Sequence, residues 1–271
     1  MNNHFTLKRT ALLAAITSVT AFATQPVMAQ EFGEVLVRIE VNATDGDVGF
    51  HALLDADAWR WLRLDDADGN KVFNAKPFAG ARTQGMTEVF FESSEPVCVA
   101  DPEEPDVRVQ TLAQFVDLFP EGEYVAHART LDNEKLRETT DFTYDIPAAP
   151  DIELTEDMTL SIDDAVIMWE PGDDLGEDCH DQSLIDNGTI TDHADVEVVR
   201  WEVVVEPAED DDLEFVQKFT AQVPGDQMFV TVPADFLQSY FDQGITTMKF
   251  EVGGMEESGN QTFSEGEFEI E

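Results

Sequence analysis

After residue 30, apolar and polar residues alternate in short segments along the whole chain, and this pattern limits the fold more than any other feature. In the segment Glu34–Val41, for example, Val35, Val37 and Ile39 share one face. A period of two is typical of a half-buried β-strand, because successive side chains of a strand point to opposite sides of the sheet. Long segments with the helical period of apolar residues are not seen in the sequence. The pattern predicts an all-β fold.

Turn signals divide these segments into hairpins. Asp68–Asn70 contains a glycine and an asparagine, which tolerate the positive φ of a tight turn, and Leu131–Glu134 separates two further strand segments. Seven short strand segments follow between residues 159 and 270. Many short strands separated by polar turns are typical of β-sandwiches, so we expect two of them in tandem.

The N-terminal segment has the three parts of a signal peptide. Lys8 and Arg9 precede an apolar stretch, Ala11–Ala23, and Val27–Ala29 forms a small-residue cleavage box. Cleavage there would remove residues 1–29. An uncleaved anchor is the alternative, but the stretch is shorter than the roughly 20 apolar residues that a span requires. No later segment of the sequence resembles a span, so we expect an exported, periplasmic or extracellular protein.

The charge is strongly negative. The chain has 58 acidic and 15 Lys or Arg residues, a formal net charge of −43. This excludes nucleic acid as a partner, because phosphate binding requires clustered Lys and Arg. Two interpretations of the acidity remain. The surface binds cations, or it is adapted to a salty environment in which screening weakens the self-repulsion.

A short linker divides the mature chain. Ile146–Pro150 places two prolines around alanines, which makes a stiff, non-helical connection. Beyond it the basic residues are Arg200, Lys218 and Lys249, so most of the negative charge lies in the second part. We therefore expect one domain over residues 30–146 and another over residues 147–271.

Cys98 and Cys179 are the only cysteines. In an oxidising compartment, two cysteines most simply form one disulfide, and this one would link the two predicted domains. Two separate free or metal-binding thiols are the alternative.

The second part resembles a fibronectin type III domain. The features that carry the resemblance are, in order, Pro147 and Pro150, Ala165–Pro171 with Trp169, Val198, Trp201 and Val203, Val232–Pro233, Leu237, Gly244, Phe250–Val252 and Gly259–Thr262. Met248 stands where that family has its corner tyrosine, and the loop Gly172–Ala194 is unusually long. The resemblance implies adhesion, spacing or partner binding. The first part is only generically immunoglobulin-like, with Tyr124 as its predicted corner tyrosine.

Two groups of residues could bind a metal. In the long loop, Cys179, His180, Asp181 and His193 are candidate ligands for a soft or borderline metal, although their spacing matches no established zinc site.

Calcium takes six to eight oxygen ligands and suits the acidic clusters better. The main candidates are Asp65, Asp66 and Asp68, with further clusters at Asp45–Asp47 and Glu209–Asp212. Calcium is the one cofactor that the sequence suggests.

Trp59, Trp61 and Arg63 form a candidate binding surface. If Leu62 and Leu64 face the core, Trp61 and Arg63 face outward, where they could stack on a sugar or a protein partner. Alternatively, the tryptophans pack over the end of the sandwich or at the domain interface. His51 and His127 lie within predicted strands and are interpreted as partly buried structural residues.

Two functions follow from these features. The first is an exported, non-catalytic module that binds a protein or glycan partner or has a structural role, since the sequence contains no nucleophile elbow, phosphate loop or HExxH motif. The second is a calcium- or metal-dependent exported protein, with hydrolysis as one activity.

Overall fold

The structure is a computed structural model that describes residues 31–102, 105–152, 158–208 and 216–271. The predicted signal peptide and the acidic run Glu209–Asp212 lie outside the described residues. Most elements are β-strands, as expected, and they form one large mixed sheet and two small sheets. Among the described residues no helix has the length and apolarity that a membrane span requires.

In the described part of the first half, the chain forms six strands and two short helices. They are β1 (Phe32–Asn42), β2 (Asp47–Asp65), β3 (Lys71–Ala75), α1 (Ala79–Gln84), β4 (Met86–Glu92), α2 (Leu112–Leu118), β5 (Gly122–Thr130) and β6 (Lys135–Phe142). Both predicted hairpins are present, because β2 pairs with β3 and β5 pairs with β6. Their turns contain Gly69 at φ +81° and Asn133 at φ +66°, left-handed conformations that glycine and asparagine readily adopt.

The long strand β2 organises the first core. Its first part pairs with β1 and β4, and its last part pairs with β3 and β5. Phe50 of β2 stacks on Phe119 with ring centroids 4.5 Å apart, and lies 5.6 Å from the ring of Phe142 on β6. Since β6 lies against β1 without pairing with it, these rings fill the space between two layers of strands.

The second half has more and shorter elements. They are β7 (Pro150–Asp151), β8 (Thr159–Leu160), β9 (Val166–Met168), β10 (Glu170–Pro171), α3 (Gly176–Cys179), α4 (Gln182–Asp186), β11 (Arg200–Pro207), β12 (Phe219–Pro224), β13 (Phe229–Thr231), α5 (Ala234–Phe241), β14 (Thr247–Met255) and β15 (Gln261–Ile270), with 3₁₀ turns at Ile162–Asp164 and His193–Asp195. Trp169 and Trp201 are buried and meet edge to face in a second core.

One sheet runs through both halves. Its strand order is β12-β11-β14-β15-β1-β2-β5-β6, and the halves meet where Glu40–Asn42 of β1 pair in parallel with Gln261–Phe263 of β15. The expected tandem arrangement did not include this pairing. It has a physical reason, because two unpaired strand edges would expose backbone N–H and C=O groups that the shared sheet satisfies.

Asn260 connects the halves at this junction and is fully buried. Its side-chain oxygen accepts a hydrogen bond from the Ile39 N–H at 2.8 Å, and its amide group donates to Thr143 and to the Asp145 carbonyl at 3.0 to 3.1 Å. Thr262 adds a hydrogen bond to the Pro147 carbonyl at 2.6 Å. The linker is therefore hydrogen-bonded to the sheet at Pro147 and Pro150 and is not a free hinge.

The long loop of residues 172–194 packs on the first core, although it follows the linker in sequence. Leu175, Leu184 and Ile190 belong to the same cluster of buried residues as the first-half strands. Cys179 forms a disulfide with Cys98, as expected, over a sequence separation of 81 residues. The disulfide thus attaches this loop to the first half.

The prediction that Tyr124 is the corner tyrosine of the first half is wrong. Tyr124 is buried, and its hydroxyl has no hydrogen-bond partner among the described residues. Tyr144 has that role instead, since its hydroxyl lies 2.8 Å from the Phe119 carbonyl oxygen and accepts a hydrogen bond from the Glu121 N–H at 3.0 Å. The ring of Tyr124 points inward and packs beside Phe142.

Candidate functional site

An acidic cleft lies on the shared sheet where the two halves meet. Its volume is about 420 Å³, and it is lined by Arg38, Glu40, Asn42, Asp45, Asp47, Glu95, Glu202, Glu251, Gln261, Phe263 and Glu265. Seven of these residues are carboxylates, and both halves contribute to them. Since the opposite faces of β1, β11 and β14 carry core residues, strand alternation turns the acidic residues of these strands outward.

The pairing of β14 with β15 brings like charges together. Glu251 and Glu265 lie directly opposite each other in this pairing, an arrangement that destabilises a sheet unless a cation intervenes. The Lys249 ammonium is that cation, 2.5 Å from Glu265 and 3.4 Å from Glu251. Burial alone would lower the pKa of Lys249, but the hydrogen bond and charge of Glu265 outweigh it, so the pKa is raised.

Cations compensate the negative charge of the cleft only in part. Burial, together with the charges of Glu95 and Asp45, raises the pKa of Asp47 to about 7. Burial also raises the pKa of Asp45 and of Glu251, and Glu265 adds to both shifts. The cleft therefore favours the binding of a proton or another cation.

Replacing Asp47 with asparagine is expected to remove part of the pH dependence of stability. The folded-state pKa of Asp47, about 7, exceeds its ordinary value of 3.8. The folded state therefore binds more protons than the unfolded state between these values, and stability falls as the pH rises through this window. Urea unfolding at pH values of about 5.5 and 8 should show a smaller loss for Asp47→Asn than for the wild type.

The matched control for this measurement is Asp163→Asn, at an exposed aspartate in a 3₁₀ turn of the second half. It should leave the pH-dependent loss of the wild type unchanged. An equal loss of stability between the two pH values in the wild type and in Asp47→Asn would contradict the raised pKa of Asp47.

The structure places the first predicted metal group, Asp65, Asp66 and Asp68, at the turn after β2. Asp65 pairs with Arg63 at 2.7 Å and lies 3.4 Å from His127. Asp66 accepts hydrogen bonds from the backbone and side chain of Asn70, so its carboxylate closes the hairpin. Asp68 is exposed. Two of these carboxylates thus have structural partners, and a calcium role for the group stays a prediction.

The second predicted metal group lies in the long loop. Its two imidazole rings, His180 and His193, meet edge to face with centroids 5.9 Å apart. His193 is buried, its Nδ1 bonds to the Ile146 carbonyl at 2.9 Å, and burial lowers its pKa. Asp181 instead accepts hydrogen bonds from Ser183 and caps α4. The loop thus brings the two histidines together and turns the carboxylate away to its own helix.

The predicted binding residues divide between core and surface. Trp59 is only 2% exposed and belongs to the first core, because the register of β2 shifts between Trp59 and Trp61. Trp61 is half-buried, and the Arg63 guanidinium lies 5.7 Å from the centroid of its ring. A binding role for Trp61 and Arg63 stays a prediction.

Sequence reasoning interpreted His51 as a partly buried structural residue and did not identify Glu40, His51 and Glu95 as a group. In the described part of the chain, these residues form the one group of three or more His, Cys, Asp or Glu side chains whose ligand atoms lie within 4.8 Å of one another. Glu95 lies 44 residues after His51, so no local spacing could reveal the group. The pattern could have shown only that Glu40 and Arg38 share one face of β1.

Comparisons with known proteins give distant structural similarities. No protein-family model and no curated protein matches the sequence. Similar solved structures include a 1.5-MDa bacterial ice-binding adhesin (7% identity, TM-score 0.24, covering 88% of this chain and 65% of that one). Others are the chicken CNTN1 FN1–FN3 domains (8%, 0.32, 89% and 67%) and a Ca²⁺-stabilized adhesin of an Antarctic bacterium (11%, 0.25, 88% and 49%). The chain spans less than two thirds of both adhesin structures, and at these TM-scores the similarities do not extend to function.

Proposed function

We propose that the protein is an exported, non-catalytic binding or structural module with two sandwich-like halves, residues 30–146 and 147–271, after a cleaved signal peptide. The observation that carries this proposal is the junction, where a shared sheet and the buried hydrogen bonds of Asn260 hold the halves in one arrangement. A fixed arrangement of two β-layered halves suits a protein that spaces or presents a binding surface. The disulfide supports an oxidising compartment.

Export can be tested by expressing the full chain in a bacterium with a periplasm and isolating the mature product. We expect it outside the cytoplasm, with Gln30 as its first residue and with both cysteines resistant to alkylation until a reductant is added. A cytoplasmic product with an intact N-terminus and two reactive thiols would contradict the proposal.

The structural role can be tested by unfolding. Because the junction is hydrogen-bonded and the two cores share a sheet, urea should unfold both halves in one transition, monitored by the tryptophans of each half, Trp59 and Trp61 in the first and Trp169 and Trp201 in the second. Two well-separated transitions in the wild type would show that the halves unfold independently of each other.

A second candidate function is calcium binding in the acidic cleft. The specific observation in its favour is that Asp45, Asp47 and Glu95 of the first half face Glu251 and Glu265 of the second across one cavity. A cation held there would receive ligands from both halves and would strengthen the junction. Carboxylate oxygens are the ligands that calcium prefers.

Calcium should raise the melting temperature relative to a chelator, since a ligand that binds the folded state stabilises it. The measurement is made at a pH of about 8, where Asp47 is ionised, against a sodium chloride control of equal ionic strength. We expect Asp47→Asn and Glu265→Gln to reduce the calcium shift by at least about half, and Asp163→Asn to leave it unchanged. A shift no larger than the ionic-strength control would exclude calcium binding.

A further inference from the structure

Glu40 and Glu95 line the first-half side of the cleft, and the ligand atoms of both lie within 4.8 Å of those of His51. In the pairing of β1 with β2, Arg38 lies opposite His51 and Glu40 lies opposite Gly49, so Glu40 is a diagonal neighbour of His51. Glu95 follows β4 and reaches His51 from the other side, with its Oε1 3.0 Å from the imidazole Nε2. The imidazole of His51 thus lies between the carboxylates of Glu40 and Glu95.

The imidazole of His51 is only 3% exposed. Its Nε2 has Glu95 as hydrogen-bond partner, but its Nδ1 has none in the described structure. Glu40 Oε2 lies 3.3 Å from this Nδ1 without the geometry of a hydrogen bond. A buried polar atom without a partner costs about 1–3 kcal/mol and requires an explanation.

Gly49 provides the space for this arrangement. A Cβ atom at position 49 would lie 2.8 Å from Glu95 Cγ and 3.0 Å from His51 Nε2. Contacts this short would displace the Glu95 side chain or the imidazole. The absence of a side chain at Gly49 is thus what lets Glu95 reach the ring.

We propose that Glu40 and His51 bind a borderline divalent metal ion of the zinc type, with Glu95 as the positioning residue. The distance supports this, because two ligands of a tetrahedral zinc with bonds of about 2.0–2.1 Å lie about 3.3 Å apart. Glu95 accepts the Nε2–H, which leaves the lone pair on Nδ1 to face the metal. Histidine ligands usually donate their second N–H to a carboxylate in this way.

Arg38 is the competing cation at this site. Its guanidinium pairs with Glu40 Oε2 at 3.1 Å, and the Gln261 amide also donates to that oxygen. Binding of a metal to Glu40 must weaken the ion pair with Arg38. Arg38→Gln is therefore expected to tighten zinc binding, and the gain should disappear when His51 is also replaced. If Arg38→Gln acted only by making the protein more negative, it would tighten calcium binding by the same factor as zinc binding.

The test is a zinc titration of the mature, disulfide-bonded protein, followed by calorimetry at a pH of about 7.5. We expect one saturable site in the wild type. His51→Gln and Glu40→Gln should each weaken it at least about tenfold, and Glu95→Gln should weaken it by about 10- to 100-fold, as loss of a positioning carboxylate does. Calcium binding should be the same in His51→Gln and the wild type, so this inference and calcium binding in the cleft can fail separately.

The matched control is His180→Gln, which removes another histidine with a buried, unpartnered ring nitrogen. It should bind zinc as the wild type does. If His180→Gln abolishes binding and His51→Gln does not, the site is in the long loop and the proposal is overturned. The absence of saturable zinc binding in the wild type overturns it as well.

A second measurement does not depend on the folding of His51→Gln. In wild-type protein labelled with ¹³C-histidine, zinc should shift the ring signals of His51 alone among the four histidines of the mature chain. Assignments come from the His127→Gln, His180→Gln and His193→Gln variants. Shifts at any other histidine, or at none, contradict the site.

Discussion

Replacing both Cys98 and Cys179 with alanine is expected to lower the free energy of unfolding by about 4 to 5 kcal/mol. The disulfide joins residues 81 positions apart. In the chain-entropy account, closing a loop of this length in the unfolded state contributes about 4.5 kcal/mol to the stability of the folded state. Both cysteines are buried, so the substitution also removes packing from the first core.

The disulfide also determines where the long loop lies. Leu175, Leu184 and Ile190 contact the first core through a segment that Cys179 attaches to Cys98. Without the disulfide, amide hydrogen exchange should increase first in residues 175–190 and only later in the strands of the shared sheet.

Equilibrium urea unfolding measures this effect. The matched comparison is the wild type in reductant, which should lose most of the stability that the double variant loses in the absence of reductant, since its two thiols still pack in the first core. A single Cys98→Ala variant should fall in the same range. A loss below about 1 kcal/mol in the double variant would mean that the unfolded chain gains little from release of the loop.

Replacing Asn260 with alanine is expected to cost about 3 to 4 kcal/mol. The substitution removes hydrogen bonds to Ile39, Thr143 and Asp145, and the buried Ile39 N–H then has no acceptor. Each buried group that loses its partner costs about 1–3 kcal/mol. Because these hydrogen bonds join the two halves, the single unfolding transition expected of the wild type should also broaden or separate into two.

Asn187→Ala is the matched control for Asn260. The Asn187 side chain also accepts hydrogen bonds, from Thr189, but it is exposed and serves only its own turn. It should cost less than about 1 kcal/mol. Equal costs at the two positions would show that the junction contributes no more than a surface turn does.

Local patterns correctly predicted most of the strands, because alternation and turn residues act over a few neighbouring positions. The hairpin around Gly69 is an example. The prediction of a corner tyrosine failed at Tyr124. Trp59, one of the candidate binding residues, is buried, in agreement with the alternative that the tryptophans pack, and a register shift in β2 separates it from Trp61.

The candidate site could be predicted only in part. Asp45 and Asp47 belong to an acidic cluster that the sequence shows, but the cleft also requires Glu251 and Glu265, which lie about 200 residues further along. Such convergence follows from the pairing of β1 with β15, and no residue near either strand signals that pairing. The position of His51 between Glu40 and Glu95 likewise depends on three separate segments.

The sequence by itself determined most of the strand content, because alternation is a local property, and it favoured a bond between Cys98 and Cys179, because the chain has only two cysteines. Tertiary structure alone decided that one sheet joins both halves, that the long loop packs on the first core, and that carboxylates from both halves meet in one cleft. The physical reason is the range of the interactions. Burial and hydrogen bonding between distant strands select one pairing among many that the same alternating pattern allows.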